Sequence, residues 1–530
     1  MAQSRGPTFL VMAALLATAV SGCASELGGS KTANGDPKSL GGKAQEFIDR
    51  SWAERALTAG DVHDHANAIH HEGFTTPNFE LLGHDPLIST EYGTTAFGHL
   101  CGDAKATSDG RRIAAIESRS DVAFTLVEVT DPLSPKWLGE LVMKRTYVYD
   151  LAVVPDGKHV ILVTTDVAQP DPRADAAGTR YLDGMEWQSP CSPAPVPVRW
   201  DAEDPVPKPF SLLLVSIADP KNPSVVDQRP LAGYGHSVYS TIIEGRTWVV
   251  ASLYMQTSGL SSYQFYELAS TPAGPRLNHL STFVPASVMP QTEWTRPLGH
   301  TDAWIHKHPK TGKTMAWLAH WNSGLLVVDL TNAQAPQLAG RWTDYDPAKG
   351  SGDSGQTHSA YVMPELWDGR HYTITGPEHP SRPVSMPTGL IWVLDTTDPA
   401  NIKPVANWTL PHDVGWTGRL MFSLHYLTVV NRTLLVSAYH AGIWALDLGK
   451  INPDTFTQLD AVGAFVPNLV SPKPPAKPFR WAPTLEEVLS FPDGTFVTFD
   501  SNSGVYTARF DASNPMTPPE PWSWGRPSLA

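Results

Sequence analysis

Residues 325–342 read LLVVDLTNAQAPQLAGRW: an unbroken apolar run, an Asp, a turn built on Asn and Pro, and a second segment ending at Trp342. Apolar runs of this length bounded by Asx and Pro are strands, and the residues between them make a tight turn. The phrase returns. Residues 126–141 read LVEVTDPLSPKWLGEL, 212–228 read LLLVSIADPKNPSVVDQ, and 391–408 read IWVLDTTDPANIKPVANW. A weaker version, VYTARFDASNPMTPP, occupies 505–519. Self-similarity at a spacing of several tens of residues marks a repeat architecture. Each copy supplies two antiparallel strands, half of the four-stranded unit from which β-propellers are assembled.

The other half lies upstream of each phrase. HSVYSTIIEGRTWVVASLY from His236 alternates as a hairpin turning at Glu244-Gly245, and AWIHKHPKTGKTMAWLAH from Ala303 turns between Lys310 and Gly312. AYVMPELWDGRHYTITG from Ala360 turns at Asp368-Gly369, and HYLTVVNRTLLVSAYH from His425 turns at Asn431-Arg432. Seven units result, beginning near His99, Asp150, His236, His300, His358, His425 and Glu486. The last supplies three strands and runs into Pro-rich sequence. NFELLG at 78–83 resembles the outer strands PKWLG and PQLAG yet precedes the first full unit, so it is the expected fourth strand of the last blade. The sequence therefore predicts an all-β, seven-bladed propeller of four-stranded antiparallel blades over 78–515, closed by an N-terminal strand that removes the open sheet edge.

The flanks read differently. Residues 1–22 have Arg5, an apolar run from Phe9 to Val20, and small residues before Cys23: a secretory signal rather than a membrane span. Val20-Ser21-Gly22-Cys23 resembles the lipobox of bacterial lipoproteins. That resemblance implies cleavage before Cys23, acylation of its sulfur with fatty acid such as palmitate, and anchoring in the cell envelope. Ala24, in place of Asp, points to the outer membrane. An ordinary signal peptide with an incidental Cys is the alternative. Residues 23–43 read as a flexible tether, 44–77 as a helix and loop segment with His63, His65, His70 and His71 as solvated surface, and 516–530 as a tail. Residues 167–210, rich in Pro, Asp and Ala, interrupt blade two without strand alternation, as a lid or insertion. A net charge of −14 argues against a nucleic-acid partner.

The histidines carry the chemistry. Each hairpin opens on a polar residue: His99, His236, His300, His358 and His425, with Asp150 and Glu486 or Glu487 in the matching places. Innermost strands line the propeller axis, so these residues are expected to ring one mouth. His320, His379 and His440 end the second strands of blades four, five and six, which antiparallel pairing brings beside the same mouth. Imidazoles with a carboxylate are the donors of copper or iron, and the set is richer in imidazole than a three-ligand zinc site requires. The competing reading is structural, because Gly-His dipeptides also anchor loops in WD-type blades. His306 and His308 read as surface. Cys101, two residues past His99, and Cys191, in the insertion, are expected to pair in an oxidising compartment and pin the insertion over the ring; a purely structural staple is the alternative. Glu486 is the candidate catalytic base, whereas the adjacent Glu487 is expected to point to the opposite face of its strand. No nucleophile-elbow, P-loop, dinucleotide or H-E-x-x-H motif is present.

The repeated phrase resembles the LVIVD-repeat family of bacterial β-propellers over about residues 95–515, and more distantly the selenium-binding protein and methanethiol oxidase group, which implies a copper association. No catalytic motif of that group maps onto this chain residue by residue. The expectation is a lipid-anchored propeller with a His-lined, copper- or iron-dependent oxidoreductase site for a small molecule. The alternative is a non-catalytic surface module holding a protein or glycan partner.

Overall fold

The computed structural model describes residues 75–85, 87, 101–117, 122–143, 146–166, 179–180, 198–199, 211–231, 234–255, 260–289, 302–320, 323–343, 357–378, 390–410, 423–439, 441–466, 485–500 and 504–518. The expected signal peptide, tether, N-terminal helix and His-rich segment lie outside these residues, as do Cys23, His99, Cys191, His300, His379 and His440.

Seven sheets are formed, one per predicted unit, each with four antiparallel strands; the blade-five sheet gains a short fifth strand, Thr457–Gln458, parallel to Lys403–Trp408. Their innermost strands are Gly102–Ala106, Thr146–Val153, Tyr234–Ile243, Ala303–Lys307, Ser359–Val362, Leu427–Val430 and Leu485–Ser490. Each of these touches the next around the set, and the last returns to the first, so the sheets stand in a closed ring about an axial channel. The apolar core is correspondingly divided into interfaces between neighbouring blades. Val160, Leu162 and Leu213 of blade two pack on Phe124 and Leu126 of blade one, while Val497, Phe499 and Val505 of blade seven pack on Ala114 and Ile116 across the closure.

The closing strand is where the sequence placed it. Phe79–Asp85 pairs antiparallel with Gly504–Phe510, completing blade seven from the other end of the chain. Phe79 is buried among Phe465, Phe496 and Phe510, with centroid distances of 5.8, 5.9 and 4.8 Å. Asn78 Nδ2 donates to the carbonyls of Val462 and Asn514 at 2.8 and 2.9 Å, tying the strand to blade six.

The repeated phrase has a physical cause at each position. Its Asx residue is a turn cap: Asp131, Asp219, Asn332, Asp398 and Asp511 each accept a hydrogen bond from the backbone N–H two residues on, at 2.9–3.2 Å. Blade three has Thr271 in this role, accepting from Ala273 at 3.2 Å. The outer-strand glycine permits blade-to-blade approach. A Cβ at Gly139 would fall 1.8 Å from the Pro220 carbonyl oxygen, and one at Gly340 would fall 1.6 Å from that of Pro399. At these two places the turn of the following blade thus docks on its predecessor's bare backbone. The predicted hairpin turns at Glu244-Gly245, Asp368-Gly369 and Asn431-Arg432 all have positive φ at both residues, the mirror-image turn that suits twisted strands. Within the insertion, Thr179–Arg180 pairs with Val198–Arg199 as a small antiparallel ladder, against the expectation of no strand there.

Candidate functional site

The innermost strands converge on a cavity of about 110 Å³ at one end of the channel, enough for a ligand of a few heavy atoms. Of the predicted ring, His236, His358, His425, Asp150 and Glu486 line it, together with Cys101. His358 is the hub. Its ring centroid lies 4.6 Å from that of His425 and 6.2 Å from that of His236, and its Nε2 lies 3.4 Å from Glu378 Oε2. One ligand atom from each of His358, Glu378 and His425 falls within 4.8 Å of the other two, and all three residues are buried.

The neighbours orient this set. His425 Nδ1 lies 2.7 Å from the Glu486 carbonyl oxygen, which can only accept; Nδ1 therefore carries the hydrogen, and the neutral ring keeps its lone pair on Nε2. The Tyr439 hydroxyl donates to Glu378 Oε1 at 2.5 Å, leaving Oε2 toward His358. Tyr439 holds φ at 49°, an uncommon conformation for a bulky residue. Paired backbone bonds with Leu485, at 3.0 and 3.2 Å, keep it there. Burial pulls His358 down to about 4, so its imidazole is neutral and already in the form a metal requires.

The walls around the imidazoles are acidic, with Glu487 Oε1 3.7 Å from His425 Nδ1. Six carboxylates line the cavity: Asp103, Asp150, Asp302, Glu378, Glu486 and Glu487. No Lys or Arg stands among the described residues that do so. Burial, opposed by the Val238 and Leu151 amides and reinforced by Asp103, raises Asp150 to about 8. Burial together with the neighbouring carboxylates pushes Asp302 and Glu487 well above the usual range. Glu487 is 5% exposed and its Oε2 has no hydrogen-bond partner. Behind the lining residues, Lys105 is held at 3.2 Å by Asp103 and lies 4.9 Å from the centroid of the Tyr239 ring. Burial works against its charge, yet Asp103 and the Tyr239 hydroxyl hold its pKa above the ordinary value. Tyr239, Trp304 and Tyr426 stand in succession at 6.0 and 6.1 Å as an aromatic floor.

Some expectations need amendment. Glu486 and Glu487 do not face opposite ways: the pairing register slips between Leu485 and Val488, and both side chains line the cavity. His320 is buried at the end of its strand but is not among the lining residues. His306 and His308 are not surface groups. His308 is fully buried, with Nε2 3.0 Å from the Thr396 carbonyl, and His306 is lowered to about 4 by burial and Lys105. Cys101 lies near Glu486, with Sγ 3.8 Å from Oε2; its expected partner Cys191 is outside the described residues.

Sequence reasoning missed Glu378, Tyr439, Asp103 and Asp302. Glu378 and Tyr439 immediately precede the singled-out His379 and His440, and Asp103 and Asp302 sit at inward-facing alternate positions after Cys101 and His300. Reading every second residue of the first strands would have found the two aspartates.

No protein-family model matches the chain, and no curated protein matches it significantly. Among solved structures, it is similar to a functionally unknown protein from Desulfotomaculum acetoxidans DSM 771 at 11% identity and a TM-score of 0.38, over 68% of this chain and 88% of that one. Chaetomium thermophilum Sqt1, solved bound to the N-terminus of ribosomal protein L10, gives 9% identity and a TM-score of 0.42, over 82% and 98%. A chain of the COPII outer coat vertex on membranes gives 10% and 0.45, over 78% and 84%. At such distances these likenesses carry no function to this chain.

Proposed function

We propose that this propeller is an exported, envelope-anchored protein whose axial mouth binds one transition-metal ion through His358, His425 and Glu378, and that the metal serves redox chemistry on a small molecule. The observation that carries the reading is the convergence of three buried ligand atoms within 4.8 Å from two neighbouring blades. Two imidazoles and one carboxylate form the donor set of non-haem iron(II) sites, while a third imidazole from His236 would move the preference toward copper(II). The Tyr439–Glu378 and His425–carbonyl hydrogen bonds are the kind of orienting contacts that ligating residues keep. Glu486, beside Cys101 and on the same wall, is the candidate base. Export and the lipid anchor rest on the V-S-G-C resemblance at Cys23, and membership of the LVIVD-repeat propellers rests on the repeated phrase.

The test is titration of chelator-treated protein with Co(II), whose visible bands report the ligand field. The expected result is saturation at one equivalent, with the bands lost in His425→Ala. Absence of bands in folded wild-type protein would overturn the metal reading and favour a module that holds a protein or glycan partner.

A further inference from the structure

The imidazole-carboxylate set and the candidate base Glu486 leave four other carboxylates of the cavity unexplained. Asp103, Asp150, Asp302 and Glu487, contributed by blades one, two, four and seven, line the same cavity, and Glu487 Oε1 lies 3.7 Å from His425 Nδ1. They do not converge as a metal cage: among the described residues only His358, Glu378 and His425 bring three ligand atoms within 4.8 Å of one another. Carboxylates spread around a wider circle cannot share a small ion at bonding distance, but they can surround a larger cation. Glu487 adds an independent sign, because its Oε2 is buried, without a hydrogen-bond partner, and borders the cavity. A buried acceptor left in that state costs free energy until a donor reaches it.

The floor supplies the other half of a cation receptor. Tyr239, Trp304 and Tyr426 line the same cavity as the acids, and the faces of such rings attract cations electrostatically. The protein already uses this chemistry on itself. The Lys105 ammonium, at the end of a flexible apolar stem, rests between the Asp103 carboxylate and the Tyr239 ring.

We infer that the acid-lined part of the cavity binds the ammonium group of a small organic amine, with Glu487, Asp302 and Asp150 around its charge and the Tyr239–Trp304–Tyr426 floor against its apolar part. The cavity of about 110 Å³ admits few heavy atoms, which favours a free amine over a lysine side chain borne on a bound peptide. Calling the amine a substrate rests on the metal reading above; its binding does not.

The experiment is calorimetric titration of the mature protein with n-butylammonium, n-butanol and n-butyrate, on chelator-treated and on metal-loaded samples. Saturable binding of butylammonium is expected in both samples, with neither neutral nor anionic analogue binding, and an affinity at least tenfold lower in Glu487→Gln. Because the analogue comparison needs no variant, a folding defect in Glu487→Gln does not weaken it. Equal binding of butanol, no binding of butylammonium, or binding of K⁺ or Ca²⁺ that butylammonium cannot displace would each overturn the inference. Metal uptake without ammonium binding overturns this inference alone; ammonium binding without metal uptake overturns only the metal reading.

Discussion

Replacing Gly340 by Ala tests the reason the outer-strand glycine recurs. An ideal Cβ on Gly340 lies 1.6 Å from the Pro399 carbonyl oxygen and 2.6 Å from its carbon, whereas ordinary contact begins at 3.4 Å. The obstacle is backbone, and it belongs to a turn held by the Asp398 cap on Ala400 at 3.1 Å and by the Asn401 amide on the Asp398 carbonyl at 2.9 Å. Blades four and five must therefore part, or the capped turn must deform. Overpacking of this kind costs about 1–3 kcal/mol and occasionally more; an obstacle of backbone rather than a flexible side chain puts the expectation at the upper end, about 3 kcal/mol. Urea denaturation monitored by tryptophan fluorescence reads the midpoint shift against Gly376→Ala, where the new methyl would meet Ile391 Cγ1 at an ordinary 3.4 Å. Gly139→Ala, facing Pro220 at 1.8 Å, should behave like Gly340→Ala, and the double variant should lose about the sum of the two. If Gly340→Ala unfolds at the same midpoint as Gly376→Ala, the blade-docking explanation of the repeat is refuted.

Other perturbations address closure, pH and the site. Phe79→Ala removes a ring packed on three other Phe rings and should cost about 3–5 kcal/mol, while Glu80→Ala on the same strand, exposed beside Arg509, should cost under about 1 kcal/mol; equal midpoints would argue against strand closure as a stabilising device. His371 is fully buried, donates from Nε2 to the Met363 carbonyl, pairs through Nδ1 with the Thr396 hydroxyl, and is lowered to about 4 by burial and by the nearby His308 and His306. Its folded pKa lies below its unfolded value of 6.5, so below pH 6.5 the unfolded chain takes up the proton first. Stability is then lost as pH falls from about 6.5 to about 4, by about 3 kcal/mol. His371→Gln should remove that part of the slope, and an unchanged pH profile would contradict the assignment. Tyr439→Phe deletes the donor on Glu378 Oε1 and should weaken metal affinity by about 10–100-fold while leaving the fold intact; unaltered affinity in a metal titration would remove Tyr439 from the orienting role.

The fold was legible because its signals are local and recur. Five Asx caps, a strand-ending aspartate and an outer-strand glycine report a turn whose hydrogen bonds close within two residues, and such turns depend little on the rest of the chain. The closing strand was legible by likeness, since NFELLG carries the same outer-strand glycine: a Cβ at Gly83 would fall 2.5 Å from the Pro132 carbonyl oxygen of blade one. The site was legible only in its first row. His236, His358 and His425 could be placed at one mouth by strand order alone. Glu378 and Tyr439 could not, because Tyr439 is aimed by a left-handed backbone angle and Glu378 lies just past a strand end, where alternation stops. The register slip at Leu485–Val488 defeated the same rule for Glu487. Nor does any residue pattern reveal that Asp150, Asp302 and Glu487 share one enclosed space, which is what raises all three.

Elemental analysis of untagged protein, purified without chelators and compared with His358→Ala, bears most directly on the central claim. One equivalent of iron or copper is predicted in the wild type and almost none in the variant, with matching circular dichroism spectra. Metal-free wild type that acquires none on incubation with iron(II) or copper(II), or metal retained undiminished in His358→Ala, would contradict it.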